Sequence, residues 1–83
     1  MVSVDNAISK LATTFQIQSG DRQGLLMDIL KVFQEHQVSV QSAKISTYGE
    51  KVFDIFQVTD LNNKKIKDEE NLKSLEKKLM SIL

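Results

Sequence analysis

The sequence predicts an α+β sandwich, in which a four-stranded antiparallel sheet carries two helices on one face. Four short stretches have the apolar patterns of strands, two of them with period-two alternation, and apolar residues recur with helical spacing in two others. These stretches follow the order strand, strand, helix, strand, strand, helix along 83 residues. A chain of this length is expected to form one domain with one modest core.

The first two strands are predicted at Val2–Asp5 and Thr13–Ser19. The pair Asp5-Asn6 favours a turn after the first strand. The connecting stretch, Ala7–Ala12, fits either a short helical turn or a simple linker. Because the chain begins within a strand pattern, we expect residues 1–83 to be a fragment of a longer protein.

The second strand runs into a turn with a glycine on each side, Ser19-Gly20-Asp21-Arg22-Gln23-Gly24-Leu25. Gly20 would permit a backbone conformation that a side chain resists, and Asp21 would cap the following helix with its carboxylate. A helix N-terminus offers unpaired N–H groups and the positive end of the helix dipole. The turn therefore suits a small anionic or zwitterionic ligand, although residues that merely start a helix would give the same pattern.

The first helix is predicted from about Gln23 to His36. Four apolar residues with i, i+3, i+4, i+7 spacing form its core-facing stripe. These residues are Leu26, Ile29, Leu30 and Phe33. The second helix is predicted to begin after an Asp68 N-cap, with a stripe made by Leu72, Leu75 and Leu79.

The third and fourth strands form a predicted hairpin. The apolar parity changes between Val40 and Ala43, which indicates a β-bulge near Gln41-Ser42 or a strand buried on both faces. Tyr48-Gly49-Glu50 is the predicted hairpin turn, and Lys51–Asp60 is the returning strand.

The returning strand is apolar on both faces. Val52, Phe56 and Val58 share one parity, and Phe53 and Ile55 share the other. Because the helices of this chain can cover only one face, we expect self-association through Val52, Phe53 and Ile55.

The composition excludes several classes of function. Eleven basic residues balance eleven acidic residues, which argues against a general polyanion binder. The absence of cysteine removes disulfides, thiolate metal sites and cysteine nucleophiles. No apolar run approaches the length of a membrane span, and no signal-peptide layout is present. We therefore expect a cytoplasmic chain with no membrane partner.

No catalytic constellation is evident. The single histidine, His36, falls at a helix end, where it suits the helix dipole. No serine and carboxylate pattern accompanies it, and no phosphate-binding glycine loop is present. We expect no active site, metal or cofactor in this chain. Lys64, Lys65 and Lys67 form a small basic patch that is typical of a solvated loop.

The turn and its flanks resemble the ACT domain, a small amino-acid-sensing module. That family has a loop of the type Asp-Arg-Pro-Gly-Leu-Leu between its first strand and first helix. Asp21, Arg22, Gly24, Leu25 and Leu26 match this loop, and Gln23 replaces the usual proline.

A more extensive resemblance covers nearly the whole chain. The segments that carry it are Val2–Asn6, the Asp21–Leu26 turn, Ser42–Glu50 and Val58–Asp60. They are similar to the C-terminal ACT domain of the bifunctional uridylyltransferase/uridylyl-removing enzymes, which modify the PII nitrogen-signalling protein in response to glutamine. The parent family places its catalytic chemistry in other domains.

The resemblance implies a ferredoxin-like sheet with a permuted strand. An ordinary ACT domain has the order βαββαβ and ends in a strand, whereas the predicted order of this chain is ββαββα. The resemblance therefore implies that the leading strand, Val2–Asp5, takes the place of the missing last strand.

The resemblance also implies a set of ligand-binding residues. Ser19, Asp21 and Ser39 correspond to positions that surround a bound amino acid in ACT domains. Asp21 would accept from the ligand ammonium, and the amides of Gly24 and Leu25 would donate to its carboxylate. The strand around Gln41 to Ala43 of a second ACT domain, in a homodimer or a tandem neighbour, would close the site. The full predicted set is Ser19, Gly20, Asp21, Arg22, Gln23, Gly24, Leu25, Ser39 and Gln41.

The resemblance implies a regulatory domain that senses an amino acid, with glutamine as the first candidate, and two alternatives remain at the level of the sequence. One is a docking module that dimerises and binds no ligand. The other is an RNA-binding ferredoxin-like domain, which would need aromatic residues at alternating positions on one sheet face. Phe53 and Phe56 are three residues apart and fall on opposite faces, so the sequence disfavours RNA binding.

Overall fold

The computed structural model describes residues 1–83 and contains four strands and two helices. The strands are β1 (Val2–Asp5), β2 (Thr13–Gly20), β3 (Ser39–Tyr48) and β4 (Lys51–Thr59). The helices are α1 (Leu25–Glu35) and α2 (Glu69–Ile82). The order ββαββα and the α+β class predicted from the periodicity are confirmed. Neither helix is long and apolar enough to cross a membrane.

The four strands form one antiparallel sheet with the order β1-β2-β4-β3. The leading strand β1 lies on the outer edge beside β2, with Val2 opposite Ile17 and Val4 opposite Phe15. This edge is the place that the resemblance implied for a strand following the second helix. The permuted, ferredoxin-like arrangement is therefore confirmed.

Three phenylalanines form the centre of the core. Phe15 of β2 and Phe56 of β4 are register partners on the helix-facing side of the sheet. The ring of Phe33 from α1 packs against both, with centroid distances of 5.3 Å to Phe15 and 5.4 Å to Phe56. Since all three rings are fully buried, this cluster fixes α1 over the two central strands.

The buried stripe of α1 differs from the predicted one. Leu25, Ile29, Val32 and Phe33 are buried, whereas Leu26 is 41% exposed. The prediction of Leu26 as a core residue was wrong. Ile29 and Phe33 share a helix face with Leu25 as well as with Leu26, since Leu25, Ile29 and Phe33 are spaced four residues apart. Both faces fit the sequence, and the contact with the sheet selects the one that begins at Leu25.

The segments between the strands follow most of the sequence predictions. The register of β3 against β4 shifts between Val40 and Ser42, so the predicted bulge is confirmed. Gly49 has a φ of 62° in the hairpin turn. The stretch Ala7–Ala12 forms no helix, and the Asp5 carboxylate instead accepts from the amides of Ala7 and Ile8.

One end of the sheet is fastened by polar side chains. The hydroxyl of buried Thr13 donates to Asn6 Oδ1 at 2.6 Å and accepts from the Ile66 amide at 3.0 Å. Asn6 Nδ2 in turn donates to the Ile66 carbonyl at 3.1 Å. These three hydrogen bonds join the loop after β1 to the segment before α2. Asp68 caps α2 here, as predicted, by accepting from the amides of Glu70 and Asn71.

Candidate functional site

The turn between β2 and α1 lies at the other end of the sheet and has the geometry of a type II β-turn. The amide of Leu25 donates to the carbonyl of Arg22 at 3.2 Å, and Gly24 adopts φ 79° and ψ 2°. These are the angles that a type II turn requires at its third residue, where glycine is favoured. Gln23 occupies the second position of the turn, where proline is common. This explains why the loop of the resembling family has proline at this position.

This geometry corrects two of the sequence predictions. The predicted N-cap, Asp21, does not cap α1, because the cap position is Gly24 and no side chain bonds to the helix start. Gly20 is the last residue of β2 and has no positive φ, so Gly24 is the glycine that the turn requires. The Asp21 amide instead donates to the Glu50 carbonyl at 2.7 Å, which joins the turn to the β3–β4 hairpin.

The helix start retains free donors. The first helical hydrogen bond runs from the Asp28 amide to the Gly24 carbonyl at 3.0 Å. The amides of Gly24, Leu26 and Met27 have no partner in the chain. Because the Leu25 amide is used within the turn, the predicted donor pair of Gly24 and Leu25 is replaced by these three amides.

Arg22 is engaged within the chain. Its Nη2 lies 2.9 Å from Asp28 Oδ2 and donates to the Ile82 carbonyl at 2.8 Å. Both ion-pair partners are substantially exposed, so the ion pair itself contributes little stability. The bond to Ile82 nevertheless ties the turn to the last turn of α2. The guanidinium is consequently a tether of the turn rather than a free anion receptor.

A cavity of about 240 Å³ opens between this turn and the inner face of the hairpin. The turn and α1 contribute Asp21, Arg22, Gly24, Leu25, Leu26 and Met27, and the hairpin contributes Ile45, Thr47, Val52 and Asp54. The wall is part apolar, since Leu26, Met27 and Ile45 expose large aliphatic surfaces. Sites for drug-sized ligands span roughly 300–1,000 Å³, so this cavity suits a smaller metabolite.

Asp54 is the residue that the sequence reading missed. It lies on the helix-facing side of β4, is only 4% exposed, and its Oδ1 has no hydrogen-bond partner. Burial raises the pKa of Asp54, the negative charge of Asp21 raises it further, and the Ser46 backbone amide opposes both effects. The sequence did contain a signal for the burial of Asp54. In strand β4 it has the same parity as Val52 and Phe56, which were predicted to share one face.

The structure separates the predicted site residues into two groups. Ser19 lies opposite Val52, whereas Ser39 lies opposite Thr59. The distance along β4 between these positions is roughly 23 Å at a rise of about 3.3 Å per residue. Ser39 is therefore not brought to the turn within one chain.

Gln41 also lies at the far end of the sheet. Its Nε2 donates to the hydroxyl oxygens of Ser39 and Thr59 at 3.2 and 3.0 Å and to Asn63 Oδ1 at 3.3 Å. Ser19 does lie beside the turn, where its hydroxyl donates to the Gly20 carbonyl at 3.0 Å. Within one chain the candidate site is therefore the turn together with Asp54.

The predicted interface residues also divide. Val52 is 4% exposed beneath the helices, so it belongs to the core and is not available to a partner. Phe53 and Ile55 lie on the open face, which is the face of the sheet that the helices do not cover, and they are 38% and 36% exposed. The ring of Tyr48 packs on Phe53 at a centroid distance of 5.7 Å. The open face thus carries a small apolar patch in polar surroundings.

The remaining candidate residues lie away from the turn. Lys64, Lys65 and Lys67 line a wider, open cleft of about 740 Å³ at the far end of the sheet, together with Lys10. Lys65 Nζ donates to the Asn6 carbonyl, so this lysine helps to hold the loops. His36 ends α1, where Nδ1 contacts the Val32 carbonyl at 2.9 Å.

A family profile described as an ACR9-like, ACT-like domain matches residues 1–83. The chain is an ACT-like domain. The sequence-based recognition is thereby confirmed, and the family membership covers the whole chain.

Curated relatives of this ACT-like domain are bifunctional uridylyltransferase/uridylyl-removing enzymes. Those of Pseudomonas syringae pv. tomato and Azospirillum brasilense are each 37% identical over 82 residues, which is 99% of this chain and 9% of the relative. That of Ectopseudomonas mendocina is 42% identical over 69 residues, or 83% of this chain and 8% of the relative. The chain therefore spans less than a tenth of the length of these enzymes.

A solved structure shares the fold. The crystal structure of an unknown protein from Galdieria sulphuraria matches with a TM-score of 0.66 and 24% identity, covering 84% of this chain and 37% of that chain. This likeness supports the sandwich architecture alone.

The left-handed conformation at Gly24 predicts that alanine substitution destabilises the chain at Gly24 but not at Gly20. A Cβ at Gly24 would meet no atom within 4 Å, so the cost of Gly24→Ala is backbone strain of about 1–2 kcal/mol. Gly20→Ala is the matched control, because the nearest atom to its Cβ would be 4.0 Å away and no positive φ is involved. Urea denaturation should show a loss only for Gly24→Ala, and equal losses would contradict the assigned turn.

The buried carboxyl of Asp54 predicts a pH-dependent stability difference. Because its folded pKa is raised above 3.8, the folded chain holds the proton more tightly, and stability is lost as pH rises through the folded pKa. Asp54→Asn should be more stable than wild type near neutral pH by about 1 kcal/mol. The advantage should shrink as pH falls toward 3.8, as followed by denaturation at several pH values. A difference that does not change with pH would contradict the raised pKa.

Proposed function

We propose that this ACT-like domain senses a free amino acid, glutamine in the first place, and regulates a cytoplasmic uridylyltransferase/uridylyl-removing enzyme of which it is the C-terminal part. The observation that carries the proposal is the cavity at the helix start. Three free amides line the start of α1 beside the carboxylate of Asp21. A zwitterion offers the complementary pair, a carboxylate for the amides and an ammonium for the carboxylate.

The proposed regulation is a population shift. A ligand that binds one arrangement of domains more tightly than another changes the balance between the activities of the parent enzyme by that difference in affinity. In this proposal the chain itself carries no active site. The identity of 37–42% with uridylyltransferase/uridylyl-removing enzymes supports this choice of parent.

In this proposal the turn and Asp54 of one chain bind the ligand, and a second ACT domain adds further contacts to the site. Ser39 and Gln41 lie too far from the turn to act in the same chain, so they enter the site only from a neighbouring domain. Such a partner could approach the open cavity wall, where Leu26, Met27 and Ile45 are exposed. This arrangement would also cover apolar surface that the isolated chain leaves in water.

Calorimetric titration of the 83-residue chain with glutamine and a panel of other amino acids tests the proposal. Glutamine should bind, and Asp21→Ala should weaken it about tenfold through loss of one charge-assisted hydrogen bond. Glu35→Ala is the matched control, because it removes an exposed carboxylate at the other end of α1. Amide NMR signals of Gly24, Leu26 and Met27 should shift on binding. Absence of both heat and shifts would refute amino-acid sensing.

The second candidate function is docking without a ligand, and the apolar patch of Tyr48, Phe53 and Ile55 favours it. If this patch is an interface, sedimentation should show a species larger than the monomer, and Phe53→Glu should convert it to monomer. Leu61→Glu is the control, since Leu61 is 65% exposed and lies outside the sheet. A monomer that is insensitive to Phe53→Glu would remove the docking function.

The open face gives no support to RNA binding. Phe56 is fully buried and Phe53 is 38% exposed. The two rings therefore lie on opposite faces of the sheet, as their spacing predicted. The stacking surface that a recognition module of this fold class needs is therefore limited to Phe53 and Tyr48.

A further inference from the structure

One carboxyl oxygen of Asp54, Oδ1, is a buried acceptor that the fold leaves without a partner. The register partners of Asp54 are Ile17 on β2 and Ile45 on β3, and the side chain of neither can donate a hydrogen bond. A buried carboxylate oxygen without a partner is costly, and native proteins rarely retain one without a role. The fold itself gives no reason for an aspartate at this position between Val52 and Phe56.

No cation of the chain neutralises this carboxylate. Arg22 is the one basic residue that lines the cavity, and its guanidinium is held by Asp28, the Ile82 carbonyl and the Gln23 carbonyl. The other charged group in the cavity wall is Asp21, which adds to the negative potential. Thr47 also lines the cavity but makes no hydrogen bond to Asp54, so Oδ1 remains available to a donor from a molecule that enters the cavity.

We propose that Asp54 determines the specificity of this site, by accepting a hydrogen bond from a side-chain carboxamide of the bound amino acid and rejecting a side-chain carboxylate. The inference rests on the proposed function. The α-carboxylate of the ligand occupies the free amides at the start of α1, the ammonium faces Asp21, and the side chain reaches the floor of the cavity at Asp54.

The chemistry of the two side chains makes the discrimination steep. A carboxamide offers N–H donors to Oδ1 and removes the cost of the unpaired oxygen. A carboxylate offers no donor and brings a second negative charge against a buried one, where electrostatic interactions are strengthened by the low local dielectric. Sites built around a buried polar partner reject ligands that lack its complement more strongly than apolar pockets reject extra bulk.

The experiment compares glutamine with glutamate and asparagine with aspartate, on the wild-type 83-residue chain, Asp54→Asn and Asp21→Asn. In the wild type the carboxamide should bind about 10- to 100-fold more tightly than the matching carboxylate. In Asp54→Asn the ratio should fall to within about threefold, because an amide can also donate to a carboxylate. Asp21→Asn should weaken both members of a pair equally and keep the ratio.

Two further measurements make the outcomes unambiguous. The circular dichroism spectrum should show that Asp54→Asn is folded, and Asp54→Ser serves as a second variant of smaller volume. The carboxyl carbon NMR signal of Asp54 should shift with glutamine, whereas the amide signals of Leu26 and Met27 should shift with any amino acid that binds.

Each result bears on a different statement. If no amino acid binds the wild type, the proposed function fails and the role of Asp54 fails with it. If glutamine binds and Asp54→Asn keeps the wild-type ratio, the amino-acid site stands and the role of Asp54 is overturned. Equal weakening of glutamine and glutamate by Asp54→Asn would likewise overturn it, since Asp54 would then hold the ammonium common to both.

Discussion

The packing of Phe33 between Phe15 and Phe56 is the constraint on which the rest of the structure depends. These rings join α1 to the two central strands and are wholly removed from water. With the helix fixed at this point, its other end must project over the hairpin side of the sheet. The start of α1 therefore stands beside Ile45, Val52 and Asp54 rather than in open solvent.

The two ends of the sheet have different chemistry. At the far end, Thr13, Asn6 and Ile66 bond to one another, and Asp68 satisfies the amides of α2. At the turn end, α1 begins without a side-chain cap and leaves its amides free. A small domain has little stability to spare, so an uncapped helix start beside an unpaired buried carboxylate indicates a requirement other than stability.

The sequence predicted the fold well because strand and helix periods depend on local spacing. The bulge at Gln41, the left-handed Gly49 and the Asp68 cap were likewise predictable from residue types at short range. The assignment of Asp21 as a cap failed for a physical reason. Gly24 permits the type II turn, and the helix begins only after this turn. Asp21 therefore lies three residues before the cap position and does not bond to the free amides.

The site was less predictable than the fold, because its members meet only through tertiary structure. Ser39 was placed at the turn by analogy, but the antiparallel register puts it opposite Thr59, at the other end of β4. Asp54 was overlooked because a charged residue between apolar neighbours is ordinarily assigned to the solvent side. Strict alternation in β4 required the opposite assignment.

The unpaired carboxylate oxygen of Asp54 and the free amides of α1 are complementary features of one proposed site. Amides without acceptors favour an anionic group, and a carboxylate without a donor favours an N–H group. A ligand that carries both groups satisfies the two ends of the cavity at once, whereas a simple anion satisfies one end and is repelled by the other. In the proposed site, this pairing would favour an amino acid with a neutral polar side chain over phosphate or a dicarboxylate. It also implies that binding would stabilise the domain by removing an existing penalty, in addition to any contacts that the ligand makes.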